Sequence, residues 1–135
     1  MVFIDDYAHH PEELKALLTG AKTLFKGKKC TIVFQPHLFS RTRDFADEFG
    51  KSLDLADHVI LLPVYPAREL PIEGVTSNMI LEKMSEHKGV LVDKGELLDT
   101  LSYWKAYNKN MELIITAGAG DIDTLVQPIK EILQP

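Results

Sequence analysis

The sequence predicts an α/β fold in which helices cover both faces of a mostly parallel β-sheet. Short apolar runs alternate with segments of helical periodicity along all 135 residues, which is the pattern of strands joined by crossover helices. No hairpin signal such as Asn-Gly separates two apolar runs, so the strands are expected to run parallel. One domain with its own core fits this length.

Five apolar runs have the length and composition of buried strands, and we expect about six strands in the whole sheet. These runs cover residues 2–4, 30–34, 58–62, 90–92 and 112–116. Right-handed crossovers between them would give a three-layer, Rossmann-like arrangement.

Helices are predicted between the strands from apolar spacing and from residues typical of helix ends. The predicted helices cover residues 12–25, 41–56, 78–85, 96–107 and 121–133. Gly27 is expected to end the first helix, while Ser40, Ser77 and Asp121 are expected to cap later ones.

Composition excludes several classes of protein. The net charge of −5 argues against a nonspecific nucleic-acid binder, which normally carries a basic surplus. The single cysteine, Cys30, rules out an intrachain disulfide and is expected to be a core residue. No apolar run reaches the about 20 residues that span a bilayer, and no signal peptide is visible, so no membrane partner and a cytoplasmic location are expected.

Because Met1 directly precedes the first strand, we expect this chain to be one domain of a longer protein.

The most informative segment is 5–11, which lies between the first strand and the first helix. It reads Asp5-Asp6-Tyr7-Ala8-His9-His10-Pro11. Ligand sites of α/β folds lie at the carboxyl ends of the strands, and a structural turn would not need two carboxylates, a phenol and two imidazoles. This segment is therefore the first candidate for a site.

The loop after the second strand is a candidate anion site. His37 and Arg41 lie at the start of a predicted helix, where free backbone N–H groups and the helix dipole favour anions. The planar guanidinium of Arg41 suits a carboxylate or a phosphate. The alternative is that Arg41 and Arg43 are solvated or pair with nearby aspartates, which is the more common arrangement for a residue such as Arg43.

Two further loops reach the same edge of the predicted sheet. In the loop 63–74, Arg68 and Glu69 are expected to be surface residues. In the loop 117–121, Gly118 and Gly120 are expected to allow chain reversal and close backbone approach. The glycines lack the complete dinucleotide fingerprint, and the chain has neither a Walker phosphate loop nor a nucleophile elbow.

A zinc site at His9 and His10 is not expected. Adjacent histidines usually point in different directions, and no third and fourth ligand stand at a recognisable spacing. We therefore predict no direct metal ligand in this chain.

Four motifs, taken in order, resemble one known family over essentially the whole chain. They are the segment 5–11, Phe34-Gln35-Pro36-His37 with Ser40-Arg41-Thr42, Tyr65-Pro66-Ala67-Arg68-Glu69 with Pro71-Ile72, and Gly118-Ala119-Gly120-Asp121-Ile122. Together they resemble the C-terminal domain of the Mur ligases of bacterial peptidoglycan synthesis. The Asp-x-Ala-His-x-Pro turn alone would fit the wider superfamily with folylpolyglutamate synthetase. The double histidine and the Gln-Pro-His loop narrow the resemblance to the alanine-adding members.

The resemblance implies roles for particular residues. Tyr7, His9, His37 and Arg41 would bind L-alanine, with Arg41 holding its carboxylate, and Asp6 would face the nucleotide. Some members have an arginine where this chain has Leu38, so carboxylate binding would depend more strongly on Arg41. Asp5, His10 and Glu69 are further candidates without an assigned role, and no residue is expected to take part in the chemistry other than by positioning.

The resemblance also implies a reaction and partners. The full-length enzyme would use ATP and Mg²⁺ to join L-alanine to UDP-N-acetylmuramate through an acyl phosphate, with UDP-sugar-binding and central ATPase domains that this chain lacks. The isolated chain would be inactive and would bind no cofactor tightly. The alternatives are the murein tripeptide recycling ligase, a noncatalytic nucleotide-binding module, and a domain that contacts only a protein partner.

Overall fold

The computed structural model describes residues 1–85, 88–107 and 111–134 and confirms the predicted α/β class. A five-stranded sheet, with strands in the order β1-β5-β2-β3-β4, forms its centre, and every neighbouring pair is parallel. The strands are β1 (Val2–Asp6), β2 (Cys30–Phe34), β3 (His58–Leu61), β4 (Gly89–Leu91) and β5 (Leu113–Ala117). The described residues thus hold five strands where the sequence predicted about six.

The register brings three strand ends to the same level. The Cα of Ala117, at the end of β5, is opposite Asp6 of β1 on one side and Phe34 of β2 on the other. Phe34 is in turn opposite Leu61 of β3. The loops that follow these strands therefore leave the sheet along one edge, where the sequence predicts a site.

Six α-helices lie on the two faces of the sheet in the described part of the chain. They are α1 (Pro11–Leu24), α2 (Phe39–Asp44), α3 (Ala46–Leu53), α4 (Asn78–Glu82), α5 (Leu97–Tyr107) and α6 (Val126–Leu133), with 3-10 turns at Lys94–Glu96 and Asp121–Leu125. No helix among the described residues is both long and apolar enough to cross a bilayer.

Two apolar clusters fill the space between the sheet and the helix layers. Leu18 of α1 and Phe49 of α3 pack against one face of the sheet, which includes Ile32 of β2. Leu101 of α5 and Ile129 of α6 pack against the other face with Val33, the next residue of β2. Strand side chains alternate between faces, so a strand covered on both sides is buried at every position, as β2 is, and Thr31 is its one polar residue.

Cys30 is a core residue, as predicted. Its side chain is fully buried in the first cluster. Burial raises the pKa of the thiol to about 11, and the neighbouring Asp57 carboxylate adds to this. A thiol that stays protonated at neutral pH is a poor nucleophile, which suits packing rather than redox chemistry.

One predicted helix and two predicted side-chain caps are wrong. The predicted helix 41–56 is two helices, because the backbone leaves the helical region at Phe45 (φ −121°, ψ 21°). Ser40 is inside α2 and caps nothing from its own side chain. Ser77 does not cap α4 either, because its hydroxyl donates to the carbonyl oxygen of Leu62 at 2.6 Å. In both cases tertiary contacts compete successfully for the hydroxyl.

Candidate functional site

The first loop is fixed to the sheet and to helix α1 by its acidic side chains. The Asp6 carboxylate accepts a hydrogen bond from the N–H of Ala8 at 2.9 Å. The Asp5 carboxylate accepts one from the Thr116 hydroxyl at 2.7 Å, which links β1 to β5. Asp5 therefore has a structural contact, while Asp6 stabilises the turn that leads to the histidines.

Glu13 fixes the backbone of the two histidines. Its Oε1 accepts hydrogen bonds from the N–H of His9 at 3.1 Å and of His10 at 3.0 Å, and Pro11 begins the helix where no N–H is needed. The His9 ring is edge-on to Tyr7, with 5.2 Å between ring centroids, and its Nδ1 is 3.0 Å from the Tyr7 carbonyl oxygen. The Tyr7 side chain itself is 69% exposed and faces solvent.

The second loop pairs His37 with Arg41. One guanidinium nitrogen of Arg41, Nη1, is 3.0 Å from Nδ1 of His37 and 3.4 Å from its carbonyl oxygen. A guanidinium only donates, so Nδ1 is the acceptor and the proton of the neutral ring is on Nε2. Burial, the Arg41 charge and His9 lower the pKa of His37, in that order of size. This arrangement favours a neutral His37 at pH 7.

The first and second loops meet at these histidines. The rings of His9 and His37 are in edge contact, with 5.9 Å between centroids. Burial, then the charge of Arg41, then His9 lower the pKa of His10, against a smaller opposing effect of Glu13. His9, His37 and Arg41 therefore share one surface, with Tyr7 at its border. We call these four residues the His-Arg cluster.

The His-Arg cluster has the chemistry of a small anion site. Arg41 keeps donors that its contacts with His37 do not use, and the Nε2–H of His37 is a further donor. Arg41 makes no ion pair among the described residues, whereas Arg43 pairs with Asp44 at 2.8 Å on the surface, as predicted. A free guanidinium beside a neutral imidazole can bind a carboxylate in a planar, two-point manner.

The third loop contacts the second one more closely than the sequence suggested. Leu38 has a positive φ of 73°, and its N–H donates to the Tyr65 carbonyl oxygen at 2.8 Å. The Tyr65 N–H donates to the Pro36 carbonyl oxygen at 2.8 Å, and the Tyr65 ring stacks on His37. Arg68 is exposed as predicted, whereas Glu69 is half-buried and hydrogen-bonded to Ser40.

The fourth loop contains a polar contact that the sequence does not predict. Asp121 does not cap a helix from its side chain: its carboxylate accepts from Gln35 Nε2 at 2.6 Å and from Lys94 Nζ at 2.6 Å. Gln35 is buried, and its Oε1 accepts the N–H of Ile122 at 3.0 Å. A Cβ on Gly120 would come within 2.6 Å of that same Oε1, so the predicted close approach at this glycine is confirmed.

The His-Arg cluster and its neighbours offer only a weak candidate for a metal site. In the described residues, His9, His10 and Glu13 form a group whose ligand atoms lie within 4.8 Å of one another. Glu13 Oε1 already accepts two backbone N–H groups, and the charge of Arg41 acts on His10. A cation would have to compete with both.

A separate cleft of about 360 Å³ lies beside the first residue of α2, where it is lined by side chains that include Phe39, Val75, Leu91 and Glu96. This cleft contains no residue of the His-Arg cluster. Within the cluster, Tyr7 is exposed, whereas His9, His37 and Arg41 are half-buried.

Comparison with known proteins identifies similar sequences. The family described as "Mur ligase, glutamate ligase domain" matches residues 1–121. The UDP-N-acetylmuramate--L-alanine ligase of Cytophaga hutchinsonii is 53% identical over 130 residues, which are 96% of this chain and 27% of that protein. The enzyme of the same name from Parabacteroides distasonis is 50% identical over 98% of this chain and 28% of its own length. The chain thus spans little more than a quarter of these bacterial relatives.

Solved structures agree with the observed fold. The UDP-N-acetylmuramate-alanine ligase of Thermotoga maritima superposes with a TM-score of 0.67 and 29% identity, covering 96% of this chain and 26% of that one. A murein peptide ligase from Psychrobacter arcticus superposes with a TM-score of 0.69 at 20% identity, over 97% of this chain and 27% of that one. The second likeness concerns the fold alone.

Proposed function

Because the chain belongs to the Mur ligase family as its glutamate ligase domain, we propose that it is the C-terminal domain of the enzyme that joins L-alanine to UDP-N-acetylmuramate. The main observation behind this proposal is the His-Arg cluster. There Nη1 of Arg41 lies 3.0 Å from Nδ1 of His37, and the other donors of Arg41 are free to bind a carboxylate. Identity of 53% and 50% to alanine ligases of two bacteria supports the choice of alanine over other amino acids.

The proposed role of this chain is to hold the amino acid in position. Arg41 would bind the alanine carboxylate, with the Nε2–H of His37 as a second donor, and Tyr7 and His9 would line the pocket. The free α-amine would then lie where it can attack an acyl phosphate of the muramate carboxyl group. Fixed orientation of this kind contributes much of the acceleration in two-substrate reactions.

The other reactants would be bound mainly by the remaining three quarters of the protein. ATP would supply the phosphoryl group and Mg²⁺ would neutralise its charge. Asp6, at the end of β1, is the residue that we propose faces the nucleotide. We propose no direct metal ligand in this chain, no tight binding of ATP by the chain alone, and a bacterial cytoplasmic location, where UDP-sugars and ATP are available.

The proposal is tested on the parent open reading frame by measuring phosphate release with UDP-N-acetylmuramate, ATP, Mg²⁺ and L-alanine. We expect Arg41→Ala to raise KM for alanine about 10- to 100-fold, since a hydrogen bond to a charged group contributes about 1.5–3 kcal/mol. The matched control is Arg43→Ala, because Arg43 pairs with Asp44 on the surface. Wild-type enzyme without alanine-dependent release, or an unchanged KM in Arg41→Ala, would contradict the proposal.

A further inference from the structure

Helix α2 carries Arg41 but has no cap of its own. It begins at Phe39, and the N-cap position is held by Leu38, whose side chain has no acceptor. The first N–H groups of a helix have no partner within the helix and are normally satisfied by the side chain of a Ser, Thr, Asp or Asn at that position. Helix α2 is only six residues long, so its start depends on an acceptor from elsewhere in the chain.

That acceptor is the carboxylate of Glu69, which lies 29 residues further along the chain. Its Oε1 accepts the N–H of Ser40 at 3.1 Å, and its Oε2 accepts the Ser40 hydroxyl in a short hydrogen bond. The hydroxyl of Ser40, and then the N–H groups of Ser40 and Phe39, lower the pKa of Glu69. The charged carboxylate also lies at the positive end of the helix, where a negative charge is favoured.

The loop that contains Glu69 also contacts the His-Arg cluster at His37, through Tyr65. Tyr65 exchanges backbone hydrogen bonds with Pro36 and Leu38, both at 2.8 Å, and its ring stacks on His37 with an interplanar angle of 16°. Segment 65–69 therefore contacts His37 at one end and the helix of Arg41 at the other. This segment therefore helps to fix the distance between His37 and Arg41, although it contains neither residue.

We propose that Glu69 is a positioning residue for the carboxylate of the bound amino acid, acting through helix α2 on Arg41. The inference rests on the function proposed above and adds a residue that need not touch the ligand. If α2 loses this cap, Arg41 is no longer held 3.0 Å from His37, and the two donors stop matching a carboxylate. Binding of the amino acid weakens, while steps that do not involve Arg41 are unchanged.

The test compares Glu69→Ala and Glu69→Gln in the parent ligase. Alanine removes the acceptor, and we expect KM for L-alanine to rise about 5- to 30-fold while KM for ATP stays within about twofold of wild type. Glutamine keeps an oxygen that can accept the Ser40 N–H and an amide that can donate to its hydroxyl, so it should restore most of the affinity. The matched control is Glu73→Ala, an exposed glutamate of the same loop.

A second measurement, on the 135-residue chain itself, does not depend on ligase activity. Amide hydrogen exchange of Phe39 and Ser40 should accelerate in Glu69→Ala and stay near wild type in Glu69→Gln, with the amides of β5 unchanged in both. Thermal unfolding of each variant shows that the protein being assayed is folded.

The outcomes separate the two proposals. If wild-type ligase uses alanine but Glu69→Ala keeps its KM for alanine, the positioning role is wrong and the proposed function stands. Parallel changes in kcat and in both KM values, without recovery in Glu69→Gln, would likewise overturn the role in favour of general destabilisation. If the wild-type ligase does not use alanine, the proposed function and this inference both fail, whatever the exchange data show.

Discussion

At the scale of single residues, the surroundings of His37 define its protonation state. Arg41 donates to its Nδ1, Tyr65 stacks on its ring, and His9 meets it edge-on. Burial, then the charge of Arg41, then His9 lower the pKa of His37, and the nearby Glu69 carboxylate opposes them only in part. A neutral His37 with its proton on Nε2 offers a donor to a carboxylate without adding a second full charge.

We predict that His37 titrates below the ordinary value of 6.5, and that its titration point rises in Arg41→Ala. A histidine with a lowered pKa in the folded state binds fewer protons there than in the unfolded chain. Stability should therefore decrease as pH falls from 6.5 toward the lowered pKa, and should not depend on this group above 6.5. NMR titration of the imidazole protons measures the midpoint of His37 in wild type and in Arg41→Ala. A midpoint at or above 6.5 in wild type would disprove the neutral form described here.

At the scale of elements, two glycines in helices have opposite roles. Gly50 of α3 faces the end of α4, where an added Cβ would lie 2.8 Å from backbone atoms of Lys83. Gly20 of α1 is exposed, and an added Cβ would meet no atom within 4 Å. The first glycine allows two helices to pack closely, whereas the second only weakens its helix.

The same substitution should thus change stability in opposite directions. Gly50→Ala is expected to lower the free energy of unfolding by about 1–3 kcal/mol, because backbone atoms must move apart. Gly20→Ala is expected to raise it by about 0.5–1 kcal/mol through helix propensity. Urea unfolding of both variants measures the difference. An unchanged or increased stability of Gly50→Ala would show that the packing of α3 on α4 is not as described.

The elements also show where sequence reasoning succeeds and where it stops. Strands β2 and β5 could be predicted because each is apolar at all but one position, Thr31 in β2 and Thr116 in β5. The histidines after β1 could be singled out as site candidates because no structural turn needs them. The break at Phe45 could not, since the spacing of Thr42, Ala46 and Phe49 is helical across it. The contact of Glu69 with Ser40 is equally invisible, because it depends on how two loops meet after the strands have paired.

At the scale of the whole molecule, one sheet forms part of two cores. Neighbouring residues of β2 point into opposite clusters, so neither cluster can form without the strands of the other. Trp104, the only tryptophan of the chain, packs against the cluster that contains Leu101. The two faces should consequently unfold together in one transition.

We predict that Leu18→Ala, on the face opposite Trp104, lowers the denaturation midpoint reported by tryptophan fluorescence. The expected loss is about 2–5 kcal/mol, since Leu18 is fully buried in the first cluster. Leu24→Ala is the control: its side chain is 75% exposed, and we expect a change within about 0.5 kcal/mol. Fluorescence and far-UV circular dichroism should give the same midpoint. If the fluorescence midpoint of Leu18→Ala equalled that of wild type, the two faces would unfold separately.

The strand order also determines when each half of the site can form during synthesis. Strands β2, β3 and β4 are neighbours in the sheet and follow one another along the chain, so segments 35–41 and 65–69 can meet early on the ribosome. Strand β1 is made first, but its partner in the sheet is β5, which ends at Ala117. His9 therefore lies next to an unpaired strand until β5 has emerged. The surface that combines His9 with Arg41 is complete only once β5 has been made, and a nascent chain stopped before β5 would carry half of it.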